Sequence, residues 1–412
     1  MLGAAPAVRA LTGGAAFVPD PQADDTALFA AARKHFLIPK GVAYGNTGTL
    51  GASPLEVVDA LTDGILRLEV NLAAWGYEQP DGEPLTGYQE LLPVRQDLGD
   101  FVNASAAEIA LTQNATMGIN FLASGLDLAP GDEVVSTDQE HGGGISPWRL
   151  LAKRRGIVVR ELPLLPALAG GPEAIAQLFL DAMTPRTKVV IFSHITSGLG
   201  ILLPARDICS IARDSGALSI VDGAQAVGQI PVDVKTLGCD AYVGSPHKWM
   251  MAPKGTGFMC LRREVQDRFW TTLASQQWDN HEAGAFRFMQ FGTGSVPVVE
   301  GLAAALAFVR KIGISRIAAW DAGLTRRLRE GLARIPNLRF TSPTDPRLSA
   351  AMTTFRVEGV KGKALQDALW ERRVRVRALS EERGVRLSAH LYMSPADIDT
   401  VLDVTREVAS RS

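Results

Sequence analysis

Cysteine is scarce in this chain: three residues in 412, Cys209, Cys239 and Cys260, stand far apart and form no C-x-x-C pair. So odd and sparse a count excludes a disulfide framework and suits a reducing compartment, so a cytoplasmic location is expected. An excess of charge of one sign is missing as well. Forty-two Lys and Arg stand against forty-four Asp and Glu, a net charge of −2, which leaves no electrostatic footprint for nucleic acid or an anionic membrane. No apolar run is long enough to span a bilayer. The six histidines (35, 141, 194, 247, 281 and 390) show no ligand spacing such as H-E-x-x-H, and no metal is expected. His141-Gly142-Gly143-Gly144 looks like the oxyanion-hole run of an esterase. No G-x-S-x-G nucleophile elbow accompanies it, and hydrolase chemistry is set aside. The Gly run more simply lets backbone pass close to a bound group. The first twenty residues are rich in Ala and Gly; Arg9 breaks their apolar stretch and no basic segment precedes it. A disordered tail is preferred there to the remnant of an export signal. What remains is a handler of small molecules.

Hydrophobic residues make up 46% and charged residues 21% of the chain, ordinary values for a globular protein. The length exceeds what one hydrophobic core normally serves, so two domains are expected. Helical patterns run from about Asp24, over 55–72 and over 88–102, with a Gly/Thr-rich loop at 41–54 between the first two. Short apolar runs then alternate with helix-length segments: EIALT (108–112), EVVST (133–137), VVREL (158–162), KVVIFS (188–193), LSIVD (218–222) and AYVGS (241–245). That is the pattern of βαβ units around a buried, mostly parallel sheet. After FGTGS (291–295) the texture changes to long amphipathic helices over 298–335, then TTFRVEG, a helix over 361–372, VRVRAL (374–379) and a last helix from PADID onward. The expected organisation is an N-terminal extension (1–40), a large domain (41–300) and a smaller α+β domain (301–412).

Two residues inside this pattern carry chemistry. Asp222 ends the apolar run LSIVD, and Lys248 follows the next run in SPHK, with a Gly/Pro turn soon after. Ligand sites in such sheets gather at the carboxyl ends of the strands. A carboxylate there keeps a pyridine nitrogen protonated, and a partly desolvated lysine loses its proton readily enough to form a Schiff base. Taken singly, Asp222 could cap a helix and Lys248 could lie on the surface. Together at two neighbouring strand ends they point to pyridoxal 5′-phosphate (PLP), with Lys248 as the Schiff-base lysine and Asp222 as the partner of the ring nitrogen.

The stretch 218–258 closely resembles the class V aminotransferase family of fold-type I PLP enzymes, which includes cysteine desulfurases and isopenicillin N epimerase-like proteins. The family's Asp-x-x-Gln and Ser-x-His-Lys patterns stand here as Asp222-Gly-Ala-Gln225 and Ser245-Pro-His247-Lys248. The resemblance implies a large domain with a seven-stranded, mostly parallel sheet and a smaller α+β C-terminal domain. It implies that Gln225 bonds the ring's phenolic oxygen and that Ser245 and His247 contact the phosphate. LTQNATMGINFLASGL (111–126) would place Ala115 and Thr116 at a helix N-terminus, a natural phosphate cradle. STDQEHGGGISPW (136–148) is similar to the family's Glu-His…Pro-Trp segment and gives His141 the ring face; HITSGLG (194–200) puts Ser197 where desulfurases commonly carry Asn. Thr293 matches the Gly-Thr that reaches the phosphate of a neighbouring subunit, which implies a homodimer with a shared site. Asn46, Thr47 and Gly48, in YGNTGTLGASP, occupy the place of a substrate-lining turn.

An amino-acid substrate needs its carboxylate clamped by arginine. The resemblance offers Arg377, in VRVRAL, and Arg386, in GVRLSAHLYMSP, competes with it. Lys248 would then remove or return the α-proton. Desulfurases need a persulfide-forming cysteine in the C-terminal domain, and 374–392 contains none. The opening and the ending look most like the isopenicillin N epimerase-like branch. A C–S lyase ranks second, an aminotransferase third, and an inactive binding protein of the same fold is the non-enzymatic alternative.

Overall fold

The computed structural model describes residues 16–73 and 90–411. Most of the N-terminal Ala/Gly stretch, and the first two residues of the helix expected over 88–102, lie outside the described residues. In chain order the strands are β1 (Ala43–Tyr44), β2 (Ile109–Thr112), β3 (Glu133–Thr137), β4 (Val158–Leu162), β5 (Thr187–Ser193), β6 (Leu218–Asp222), β7 (Ala241–Gly244), β8 (Gly257–Leu261), β9 (Leu338–Phe340), β10 (Met352–Val357), β11 (Val374–Arg375), β12 (Arg377–Ala378) and β13 (Val385–Ser388).

Strands β2 to β8 form one seven-stranded sheet in the order β2-β8-β7-β6-β5-β3-β4. Only β8 runs against its two neighbours; the other six share one direction. Strands β2, β3, β6, β7 and β8 are buried along their whole length. Their continuous apolar runs suit a sheet covered on both faces. The second sheet is antiparallel, β12-β13-β10-β9, and the pair β1-β11 is parallel. The architecture is α/β: a large, mostly parallel sheet with a smaller C-terminal α+β unit.

The sequence pattern missed β8. Its run GFMCL directly follows the Gly/Pro turn after Lys248 and enters the sheet as an antiparallel insertion between β2 and β7, where no βα periodicity announces it. VRVRAL is two strands, not one. Val376, 1% exposed, separates β11, which pairs with β1, from β12, which pairs with β13.

Two cores result. One surrounds the seven-stranded sheet. The other joins Phe17, Leu28, Phe29 and Phe36 near the N-terminus to Phe355, Leu365, Val385 and Leu402. The helix Val296–Ile312 belongs to both, giving Leu302, Ala305 and Leu306 to the first and Phe308, Val309 and Ile312 to the second. This places β13 and its arginine against the carboxyl ends of the large sheet.

Candidate active site

A cavity of about 480 Å³ opens at those carboxyl ends. It is lined by Asn114, Ala115 and Thr116 after β2, His141 after β3, Ser193 at the end of β5, Asp222 and Gln225 after β6, and Ser245, His247 and Lys248 after β7. Gly48 and Thr49 from the N-terminal loop, Ser197, and Arg377, Arg383 and Arg386 from the small domain close it.

Local structure aims each group. The helix Ala115–Gly125 begins because the Asn114 side chain accepts from the Met117 N–H at 2.9 Å, and its N-terminus therefore faces the cavity. The Ser245 Oγ accepts from the Ala115 N–H at 3.0 Å, tying β7 to that helix. His141 caps the helix Gly142–Arg155: its Nδ1 accepts from the Gly143 N–H at 3.0 Å, so a neutral ring carries its proton on Nε2. A Cβ on Gly143 would sit 2.1 Å from Thr116 Oγ1, and one on Gly144 3.4 Å from Asp222 Oδ2. The Gly run lets its helix close against both polar groups.

Asp222 is 6% exposed; its Oδ1 accepts from the Ala224 N–H at 2.9 Å. The Gln225 amide is held from two sides, donating to the Gly48 carbonyl at 2.8 Å and accepting from the Trp249 indole at 2.8 Å. One amide N–H remains to serve a ligand. His247 Nδ1 pairs with the Thr256 carbonyl at 3.0 Å. A carbonyl only accepts, so Nδ1 holds the proton and Nε2 gains one only in the cationic form that an adjacent anion favours. Burial pushes the Lys248 ammonium down to about 8, against the opposing pull of Asp222. Burial and the Lys248 charge also lower His141.

Sequence reasoning missed Glu140. The Thr137 and Ser193 hydroxyls donate to its two oxygens at 2.7 and 2.5 Å. Burial, with the Asp222 charge adding to it, pushes its carboxyl up to about 7, although those two bonds pull it down. Its only signal was its place beside His141. Thr49 and Arg383 were missed too, one as a neighbour of the named turn residues, the other within a polar hairpin.

The named turn residues divide. Gly48 lines the cavity, and a Cβ there would lie 3.1 Å from Arg386 Nη2. Asn46 Oδ1 accepts from Thr49 Oγ1 at 2.8 Å and lies 3.5 Å from Arg386 Nη2. Thr47 is buried away from the cavity, its hydroxyl 2.5 Å from that of Tyr392. Of the two competing arginines, Arg386 is 1% exposed and donates to the Ser197 carbonyl and to Thr49 Oγ1 at 2.9 Å. Its Nε is buried without an acceptor among the described residues. Arg377 is exposed and reaches the same Thr49 Oγ1 at 3.2 Å. Thr293 is exposed and lies outside the lining of this cavity.

The Aminotransferase class-V model matches residues 54–401. This chain belongs to that family. It is 30% identical over 400 residues to isopenicillin N epimerase of Amycolatopsis lactamdurans, with 92% of this chain and 98% of the relative covered. It is 28% identical to a probable cysteine desulfurase of Pyrococcus abyssi, covering 91% and 96% of the two chains. Among solved structures, a mutant of the cystine C–S lyase C-DES with glycine covalently linked to its PLP cofactor superposes with a TM-score of 0.80 at 25% identity, over 90% of this chain and 98% of that one.

The residues present fit PLP. The cavity offers a helix N-terminus with hydroxyls and an imidazole for a phosphate, a carboxylate for a ring nitrogen and an oriented amide. It also holds a lysine of depressed basicity.

Proposed function

We propose that this class-V PLP enzyme inverts the Cα configuration of an amino acid, as an epimerase. The cofactor, when bound, supplies the electron sink that lowers the barrier to breaking a bond at Cα. Lys248 holds the cofactor and, once released by substrate, takes and returns the proton at Cα. With its basicity down at about 8, roughly a tenth of it is neutral at pH 7. Asp222 holds the ring-nitrogen proton. Thr116, Ser245 and His247 hold the phosphate, Gln225 the phenolic oxygen, His141 the ring face, and Arg386, with Arg377 beside it, the α-carboxylate.

The observation that carries this reading is that the cavity brings the proton-handling side chains Lys248 and His141 together and holds no thiol. All three cysteines are free and buried elsewhere; burial pushes Cys209 up to about 12 and also raises Cys239 and Cys260. None of them can serve as a thiolate relay for sulfur. The test is incubation of the holoenzyme with single L-amino acids in D2O. Deuterium at Cα with loss of optical purity supports epimerisation; quantitative formation of the oxo acid without inversion contradicts it. The C–S lyase reading is favoured by the likeness to C-DES, and release of pyruvate from cystine in the same assay would install it instead. Thr293, exposed and outside its own cavity, is proposed to complete the phosphate site of a second copy. A monomer in solution at working concentration would remove that assignment.

A further inference from the structure

The small-domain hairpin sends three cations into one cavity. Arg377 on β12 stands directly opposite Arg386 on β13, and Arg383 lies in the turn between the two strands. All three line the cavity, and among the described residues their hydrogen-bond partners are neutral. Arg377 and Arg386 share Thr49 Oγ1, Arg386 also takes the Ser197 carbonyl, and the Arg383 Nη2 donates to Gln139 Oε1 at 3.1 Å. Like charges directly opposite on paired strands repel, and an anion between them relieves that repulsion. One carboxylate satisfies Arg377 and Arg386. The cofactor's phosphate has its own proposed cradle in Thr116, Ser245 and His247, which lie on the large-sheet side of the lining.

Arg383 is then left over. The Ser380 carbonyl accepts the Arg383 and Gly384 N–H groups at 3.0 and 2.9 Å, and Thr341 Oγ1 donates to the Arg383 carbonyl at 2.9 Å, so the turn is fixed. Its guanidinium crosses to Gly198, where a Cβ would sit 2.6 Å from Arg383 Nη1. Gln139 holds one edge of the fork, two residues before His141. A cation held over a cavity beside two others, whose side-chain partner among the described residues is the neutral amide of Gln139, selects for a second negative charge.

We propose that the substrate is an amino acid with a second carboxylate on its side chain, and that Arg383 receives that group. This rests on the amino-acid chemistry proposed above and adds the class of substrate. Arg383 is a binding residue; it sets which amino acids are held.

Inert acids test it without turnover. Butyrate, succinate, glutarate and adipate are titrated into the holoenzyme, and affinity is read by calorimetry and by the shift of the cofactor's visible band. The expected result is that at least one diacid binds about tenfold or more tighter than butyrate. That ratio should fall to near unity in Arg383→Gln and be partly kept in Arg383→Lys. A parent enzyme that holds no diacid better than butyrate overturns the proposal, as does a ratio retained in Arg383→Gln. The two readings fail separately. A diacid preference without Cα inversion removes the epimerase and leaves this inference standing; inversion of monocarboxylic amino acids with no diacid preference does the reverse.

Discussion

The Lys248 ammonium gives up hydration on burial and recovers only part of it from Asp222, which brings it down to about 8. A lysine depressed in the folded state costs stability below that value. In the apoprotein, stability should rise as pH goes from 8 towards 10.5, because the unfolded chain then holds the extra proton. Lys248→Met should remove up to about 3 kcal/mol of that rise, read as the difference between parent and variant urea midpoints across the range. Glu140 has the opposite sign. Its carboxyl is raised to about 7 by burial and by the Asp222 charge, so its contribution is full below about 4.5 and is lost as pH climbs through 7. Unfolding of Glu140→Gln beside the parent should therefore show the variant gaining about 2 kcal/mol in relative stability between pH 5 and pH 8. A gap that stays flat with pH would mean that Glu140 is already ionised. The sequence could not show any of this. Asp222 and Lys248 were legible because strand ends and a family motif mark them, whereas Glu140 is a surface-type residue whose environment exists only after β3, β5 and β6 meet.

At the scale of elements, the loop from Gly45 to Pro54 works as a wedge between the two sheets. The Gly45 N–H donates to the Arg375 carbonyl at 2.8 Å and the Ser388 N–H to the Gly45 carbonyl at 2.8 Å, fixing one end on the small domain. At the other end the Gly51 N–H donates to the His247 carbonyl at 2.9 Å, and a Cβ on Gly51 would fall 1.8 Å from the Lys248 carbonyl oxygen. Backbone against backbone cannot yield as a side-chain tip can. Gly51→Ala should cost about 1–3 kcal/mol and perturb the cofactor's absorption, because the displaced segment carries Lys248; unchanged stability and spectrum would contradict that contact. Elements of the large sheet were legible where a buried strand reads as one apolar run between helices. Legibility failed where that logic does: at β8, antiparallel behind a turn; at VRVRAL, bent into two sheets; and at β13, noticed only for Arg386. Long-range pairing, not local propensity, defines those strands.

Across the whole molecule, the two units meet in a buried polar joint close to Lys248. His390 Nδ1 lies 2.7 Å from Asp321 Oδ2, and its Nε2 lies 2.8 Å from the carbonyl of Trp249, the residue after Lys248. His390 and Asp321 are almost wholly buried, and burial raises the Asp321 carboxyl. Removing one member leaves the other without compensation, so His390→Phe should destabilise the protein by about 3–5 kcal/mol. It should also weaken cofactor retention, measured by dialysis against the parent. The helix Val296–Ile312, packed in both cores, then makes the units unfold together, and a single calorimetric transition is expected.

Lys248 is proposed to carry the cofactor covalently at the carboxyl ends of the large sheet. The direct measurement is the visible spectrum of purified protein supplied with PLP, followed by borohydride reduction and peptide mass mapping. The expected result is a yellow band that reduction abolishes, with the added pyridoxyl mass on the peptide containing Lys248, and neither band nor adduct in Lys248→Ala. A protein that stays colourless, or an adduct on any other lysine, would contradict it.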